Sequence, residues 1–243
     1  MIRRDEALEY HTGDRPGKVA VAASKSCVTP REVRLAYLPG AVFPCREIAD
    51  DPAAAWRYTA RGNLVAVVTN GTAVPGLGAV GPHAAKPVAE GMAVLLKRLA
   101  DIDVFDLELD ARDPDAFVAV VRALEPTFGA IDLVCMSAPE SIAIYERLRD
   151  AMGIPVFHDD QHGTAIISLA GVLNALKIIG KKIEEVRLVV NGDGAAGIAC
   201  AEFYISAGAR RENVTMCDSR GVIYKGREAG MSPQKEKLAV DTD

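Results

Sequence analysis

"VRLVVNGDGAAGIACAEFYISAG", residues 186–208, decides the fold. A β-branched run from Val186 to Val190 feeds into Gly192-x-Gly194-x-x-Gly197 and then into an apolar stretch of helical length. In such a turn the first glycine permits a tight bend and the second lets the backbone approach a pyrophosphate. The third lets helix and strand pack closely, and the helix N-terminus faces the phosphates. A second strand, "NVTMC" (213–217), ends at Asp218, twenty-one residues past Gly197. A carboxylate there would hold the ribose 2′-hydroxyl of NAD, whereas Arg220 nearby could meet the 2′-phosphate of NADP. The candidate dinucleotide contacts are therefore Gly192, Gly194, Ala195, Ala196, Gly197 and Asp218. A glycine-rich turn without a ligand is the alternative, and Asp193 speaks for it by placing a carboxylate where phosphate would approach.

Outward from this unit the pattern alternates. "NLVAVVTNG" (63–71), "DVFDLELD" (103–110), "AIDLVCMSA" (130–138) and "IPVFHDD" (154–160) read as strands. Between them lie helical stretches: "AEGMAVLLKRLA" (89–100), "DPDAFVAVVRALEPTFG" (113–129) capped by Asp113 or Asp115, and "PESIAIYERLRDAMG" (139–153). "GTAIISLAGVLNALKIIG" (163–180) reads as a long, largely buried helix. Thr29-Pro30-Arg31-Glu32 has the form of a helix start, with Thr29 as cap and Glu32 reaching back. The glycine-rich stretch 74–87 is expected to be a loop, and residues 1–30 a polar arm. Strands alternating with helices imply an α/β fold with parallel sheets, dividing near Lys181 into residues 1–181 and 182–243. Only twenty-five residues follow Asp218, and a full dinucleotide fold uses about six strands, so the second unit is expected to be incomplete, a fragment.

Composition excludes several classes. Of 243 residues, 49% are hydrophobic and 25% charged, the balance of a soluble globular protein. The net charge of -5 gives no reason to expect nucleic acid or an anionic membrane as partner. No membrane-spanning run and no signal peptide are expected. Five scattered cysteines without C-x-x-C spacing read as reduced thiols of a cytoplasmic protein.

"VFHDDQHGTA" (156–165) sets His158, Asp159, Asp160 and His162 within five positions. These residues could hold a metal, serve as acid and base, or start a helix.

Several stretches then fall together. "LEYH" (8–11), "RPGK" (15–18), "LAYLPG" (35–40), "YTARGNLVAVVTNGTAV" (58–74), "GLGAVG" (76–81), "KPVAEG" (86–91) and "DIDVFDLELD" (101–110) come first. "ALEPTFG" (123–129), "IPVFHDDQHGTA" (154–165), "NGDGAAGIA" (191–199) and "CDSRGVIYKGREAGM" (217–231) follow in order. Across essentially its whole length the chain resembles the bacterial-type malic enzymes. The resemblance implies an N-terminal substrate and metal domain followed by the start of a Rossmann-type dinucleotide-binding domain. It implies oxidative decarboxylation of L-malate to pyruvate with NAD or NADP and Mg²⁺ or Mn²⁺, in a homodimer or larger assembly. It implies Tyr37 as the acid, Asp160 as a metal ligand and Asp159 as the carboxylate orienting the base. The chain departs from the family where chemistry is concentrated: Met92 stands at the base lysine, and Val134 and Cys135 at the other two ligands. Met92 reads as a core residue at helical spacing. Leu38, Pro75, Ala79 and Asp193 are smaller departures. The resemblance therefore implies either an impaired malic enzyme or a non-catalytic relative that binds a dicarboxylate or pairs with an intact subunit.

Overall fold

Residues 2–12 and 16–242 are described by the structure, a computed structural model. The polar arm holds a helix, α1 (Arg4–Thr12), then α2 (Pro30–Ala36), α3 (Val42–Asp50) and the short α4 (Ala55–Tyr58). There follow β1 (Leu64–Thr69), α5 (Pro82–Ala100), β2 (Asp103–Glu108), α6 (Pro114–Ala123) and β3 (Ala130–Leu133). The rest is α7 (Glu140–Ala151), β4 (Val156–His158), α8 (Asp159–Ile179), β5 (Leu188–Asn191), α9 (Ala195–Ser206), β6 (Val214–Asp218), β7 (Gly221–Val222) and α10 (Pro233–Leu238).

Local chemistry accounts for most boundaries. Thr29 accepts from the Glu32 N–H while the Glu32 carboxylate accepts from the Thr29 N–H, the reciprocal cap expected of this spacing. Asp113, not Asp115, caps α6, accepting from the Ala116 N–H at 3.0 Å. Helix α5 begins seven residues before Ala89, so the loop expected over 74–87 ends at Gly81. Pro82 supplies the preset φ of a first helical position and Pro87 is tolerated farther along. Strand β3 stops at Leu133, because Cys135 turns to φ 55°, outside any extended conformation.

The chain forms two compact units, residues 1–132 with 151–155, and residues 133–150 with 156–243. In the first, β1 lies between β2 and β3, parallel to β2, and its Ala66, Val67, Val68 and Thr69 are fully buried. Buried Phe117, Val118 and Val121 give α6 its apolar face. In the second, β5 and β6 are parallel and β7 returns antiparallel on β6. Its core gathers Leu176, Ile183, Ile198, Tyr204, Val214, Met216 and Ile223 from α8, α9 and these strands.

Several expectations change. The compact units do not divide at 181/182, because α8 contributes Ala165 and Leu176 to the same core as α9. Helix α8 starts four residues earlier than the apolar run suggested, and among its side chains only Gln161, Ala165 and Leu176 are buried. It is hydrophobic on more faces than its packing covers, leaving Ile166, Ile167, Ile178 and Ile179 exposed. By length and composition α8 is also apolar enough to cross a membrane, which the sequence reading did not expect of any stretch. Met92 is half-buried, while Ala85, Ala89 and Ala93 make the buried face of α5.

Phe117 has no exposed surface. Phe117→Ala is expected to lower unfolding free energy by about 3–5 kcal/mol, read from urea denaturation.

Candidate functional site

Asp159 and Asp160 open α8, directly after β4, with His158 as the N-cap. The His158 ring accepts from the Gln161 N–H through Nδ1 at 3.4 Å, and the His158 N–H donates to Nδ1 of His162 at 3.2 Å. Both imidazoles therefore spend a nitrogen on the backbone, and both titrate below the usual range. Burial, then His162, takes His158 down to about 4, and burial lowers His162. The histidines build the helix start. Helical Gly163 leaves room for the acid beside it: a Cβ there would sit 2.7 Å from Oδ1 of Asp159.

Both aspartates titrate above the ordinary carboxylate range. Burial raises Asp159, while burial and the neighbouring Asp159 charge raise Asp160 against an opposing hydrogen bond from the Met136 backbone. The structure brings Cys135 into this field. Burial, then Asp160 and Asp159, push its thiol up to about 11, so it stays neutral at physiological pH. Val134 is also buried. Val134 and Cys135 thus offer a methyl-bearing side chain and a neutral thiol beside Asp160. Hard divalent cations seek several charged or carbonyl oxygens, so these residues do not fit Mg²⁺ or Mn²⁺. Among the described residues no group of three His, Cys, Asp or Glu side chains is placed to hold a metal ion.

Tyr37 ends α2 in the first unit with its side chain exposed. On α5, neither Lys86 nor Lys97 is available as a base. Burial disfavours the Lys86 charge, but Asp106 at 2.5 Å and Glu108 at 3.3 Å outweigh it and hold the ammonium protonated. Asp101 and Asp103 do the same for Lys97.

The glycine turn behaves as its spacing implied. Gly192 takes φ 143°, Gly194 caps α9 with no side chain over the first N–H groups, and Ala195 and Ala196 form the opening turn. A Cβ on Gly197 would lie 2.1 Å from the Gly192 carbonyl oxygen, so helix and turn touch there. Asp193, the discordant residue, is neutralised by Lys235 of α10 at 2.5 Å.

Asp218 stands at the end of β6 but is not an open carboxylate. Its Oδ2 accepts from Arg227 at 2.6 Å and Lys235 at 3.0 Å, and its Oδ1 from the Arg220 N–H at 2.8 Å. Arg227 foremost holds this carboxyl far below its usual range. Sequence reasoning missed Gly163, Arg227 and Lys235. The "MSPQK" cap signal marked a helix at Lys235, but nothing in the sequence tied it to residues 17 and 42 positions earlier.

Two family models match the chain, "Malic enzyme, N-terminal domain" over residues 17–149 and "Malic enzyme, NAD binding domain" over 161–243. An NADP-dependent malic enzyme of Haemophilus influenzae is 55% identical over 238 residues, 98% of this chain and 32% of that protein. An NAD-dependent malic enzyme of Rhizobium meliloti is 52% identical over 238 residues, 98% of this chain and 31% of that protein. The chain thus spans about a third of the length of these relatives. Among solved structures, an NAD-dependent malic enzyme from Thermotoga maritima superposes with TM-score 0.90 at 39% identity, covering 99% of this chain and 63% of that one. A malic enzyme from Pyrococcus horikoshii gives 0.87 at 46% identity, covering 88% and 50%.

The raised carboxyls set a pH dependence. A native state that keeps protons its unfolded chain releases loses stability as pH rises through the folded pKa. Asp160→Asn is therefore expected to be more stable than the parent at pH 7 and to show a shallower fall between pH 4 and 7 in urea titrations. An unchanged slope would remove the acid pair as its source.

Proposed function

The chain belongs to the malic enzyme family, and from that premise we propose that it keeps the frame of an NAD(P)-dependent malate oxidoreductase while most of its turnover is lost. The parent reaction oxidises L-malate, releases CO₂ and leaves pyruvate and NAD(P)H. It requires a base for the C2 hydroxyl proton, a divalent cation against the developing enolate, and an acid for C3. The observation that carries the reading is the neutral thiol of Cys135 against Asp160, where a second carboxylate would be needed. Tyr37 remains as the group able to protonate C3, and Asp159 as the carboxylate that would orient a base. Met92 can neither take nor give a proton, so hydride departure goes unassisted. Absence of the base alone removes about 10²–10⁴-fold in rate. A binding or partner-subunit role for a dicarboxylate-recognising relative is the second reading, supported by the same thiol. In either case residues 182–243 serve the dinucleotide, the protein is cytoplasmic and homo-oligomeric, and neither nucleic acid nor membrane is its partner.

Lost ligands are testable by restoration. Met92→Lys, Val134→Glu and Cys135→Asp together are expected to bind Mn²⁺ at least about tenfold more tightly than the parent by titration calorimetry. Reduced cofactor followed by absorbance should stay near baseline for the parent with L-malate, Mn²⁺ and either cofactor. Brisk parental turnover would sink the reading.

The residues of the glycine turn fit a dinucleotide, whose phosphates the open N–H groups of α9 would hold. Asp218 favours NADP as that dinucleotide. A carboxylate offers roughly four acceptor positions, and three are taken, too few left for a pair of ribose hydroxyls. Arg220 is exposed and, among the described residues, makes no ion pair, leaving its planar fork for a phosphate. Adenosine 2′,5′-bisphosphate is expected to bind about tenfold tighter than 5′-AMP, and Arg220→Ala to close that gap. Equal affinities in the parent would overturn the NADP preference.

A further inference from the structure

Three partners hold the Lys235 ammonium: the Asp193 carboxylate at 2.5 Å, the Gly230 carbonyl at 2.7 Å and the Asp218 carboxylate at 3.0 Å. An ammonium has three N–H donors, so none is left over. The three partners are not equally fixed. Asp218 has a side chain only 4% exposed, and it also holds Arg227 and the Arg220 N–H. Gly230 contributes backbone. The Asp193 side chain is 41% exposed, and among the described residues its only ion pair is the one to Lys235. It stands between Gly192 and Gly194, and a Cβ added to either glycine would meet nothing within 4 Å. The turn is therefore uncrowded on either side of Asp193, and the first N–H groups of α9 beside it have no side chain across them.

We propose that Lys235 is a phosphate ligand of the dinucleotide site, and that Asp193 is the anion it carries until a phosphate displaces it. This rests on the reading of residues 182–243 as a dinucleotide unit and adds to it a side chain from α10. A phosphate oxygen arriving at the N-terminus of α9 is drawn by the unsatisfied N–H groups and the positive end of the helix. Asp193 beside it carries the wrong sign, and two anions at that distance repel. The carboxylate turns out into the solvent it already reaches, and the phosphate takes the N–H of Lys235 that it leaves. Charge around the ammonium is unchanged by the exchange, with Asp218 and one further anion before and after. Asp193 thus works as a built-in competitor. It weakens ligands that place a phosphate at the turn and leaves untouched those that have none.

NMR titrations of the full chain with ADP-ribose and with adenosine test the exchange. ADP-ribose lacks a 2′-phosphate and so leaves Arg220 aside. Asp193→Ala is expected to bind ADP-ribose about tenfold more tightly than the parent, and adenosine equally well. Asp193→Ala combined with Lys235→Met removes one charge of each sign, keeps the Asp218–Arg227 pair and should lose most of that gain. Were repulsion by Asp193 the whole effect, the double variant would keep it. In Asp193→Ala the Lys235 ammonium resonance should also shift on adding ADP-ribose, which reads the same contact even where the double variant fails to fold. Unchanged or weaker ADP-ribose binding by Asp193→Ala, a double variant that keeps the full gain, or an unmoved Lys235 resonance overturns the proposal. Binding of ADP-ribose by neither the parent nor Asp193→Ala removes the dinucleotide reading itself, and the proposal with it.

Discussion

The ammonium of Lys235 lies between two carboxylates, Asp193 in the glycine turn and Asp218 at the end of β6, and the dinucleotide unit is organised around it. Lys235 and Arg227 are each 9% exposed, so neither charge could persist there without these partners. Taking one member away from such a set is destabilising, because what remains is a charge without its partner. The network has a second effect. It turns Asp193, which on its own would repel phosphate, into half of an ion pair, and so makes the turn compatible with an anionic ligand. It also uses up the lone pairs of Asp218 that a ribose would otherwise claim.

The acid pair at the start of α8 shows the opposite condition. Asp159 and Asp160 are half-buried side by side, and their carboxyls rise instead of falling. In a metal-binding relative of this design a divalent ion would reverse that direction. Here the neighbouring thiol cannot, since a thiol carries no positive charge in either protonation state, and burial first, then the two aspartates, keep it protonated. Burial and like charge thus reinforce each other at one end of the second unit, while opposite charges cancel at the other.

The strand–glycine–helix unit was legible because its requirements are local. Gly192 meets a demand of φ and Gly197 one of close approach, and the two lie within six residues of one another. The caps at Thr29 and Asp113 were legible for the same reason. Lys235 was not, because a long-range ion pair leaves no spacing signal in one sequence. The burial of α8 was misjudged from hydrophobicity alone, which says how apolar a helix is and nothing about what covers it. The roles proposed for Tyr37 and Asp159 rest on family pattern alone, and the placement of Cys135 beside Asp160 came only from the fold.

The first unit is not continuous in sequence. Chain leaves it at Asp132 and returns for Ala151–Pro155, whose last carbonyl accepts the Ile131 N–H at 2.9 Å. During synthesis this has a consequence of timing. The ribosome delivers the eighteen residues of the excursion, 133–150, before the closing segment, and the rest of their unit, residues 156–243, arrives only after it. The N-terminal unit can therefore be sealed while the excursion is still waiting, so Ile142, whose core partners come from α8, α9 and β6, must stay apolar and unsheltered for the interval. Translation speed past residue 155, a property of the message and not of the protein, then governs how long that stretch is available to chaperones or to misassociation.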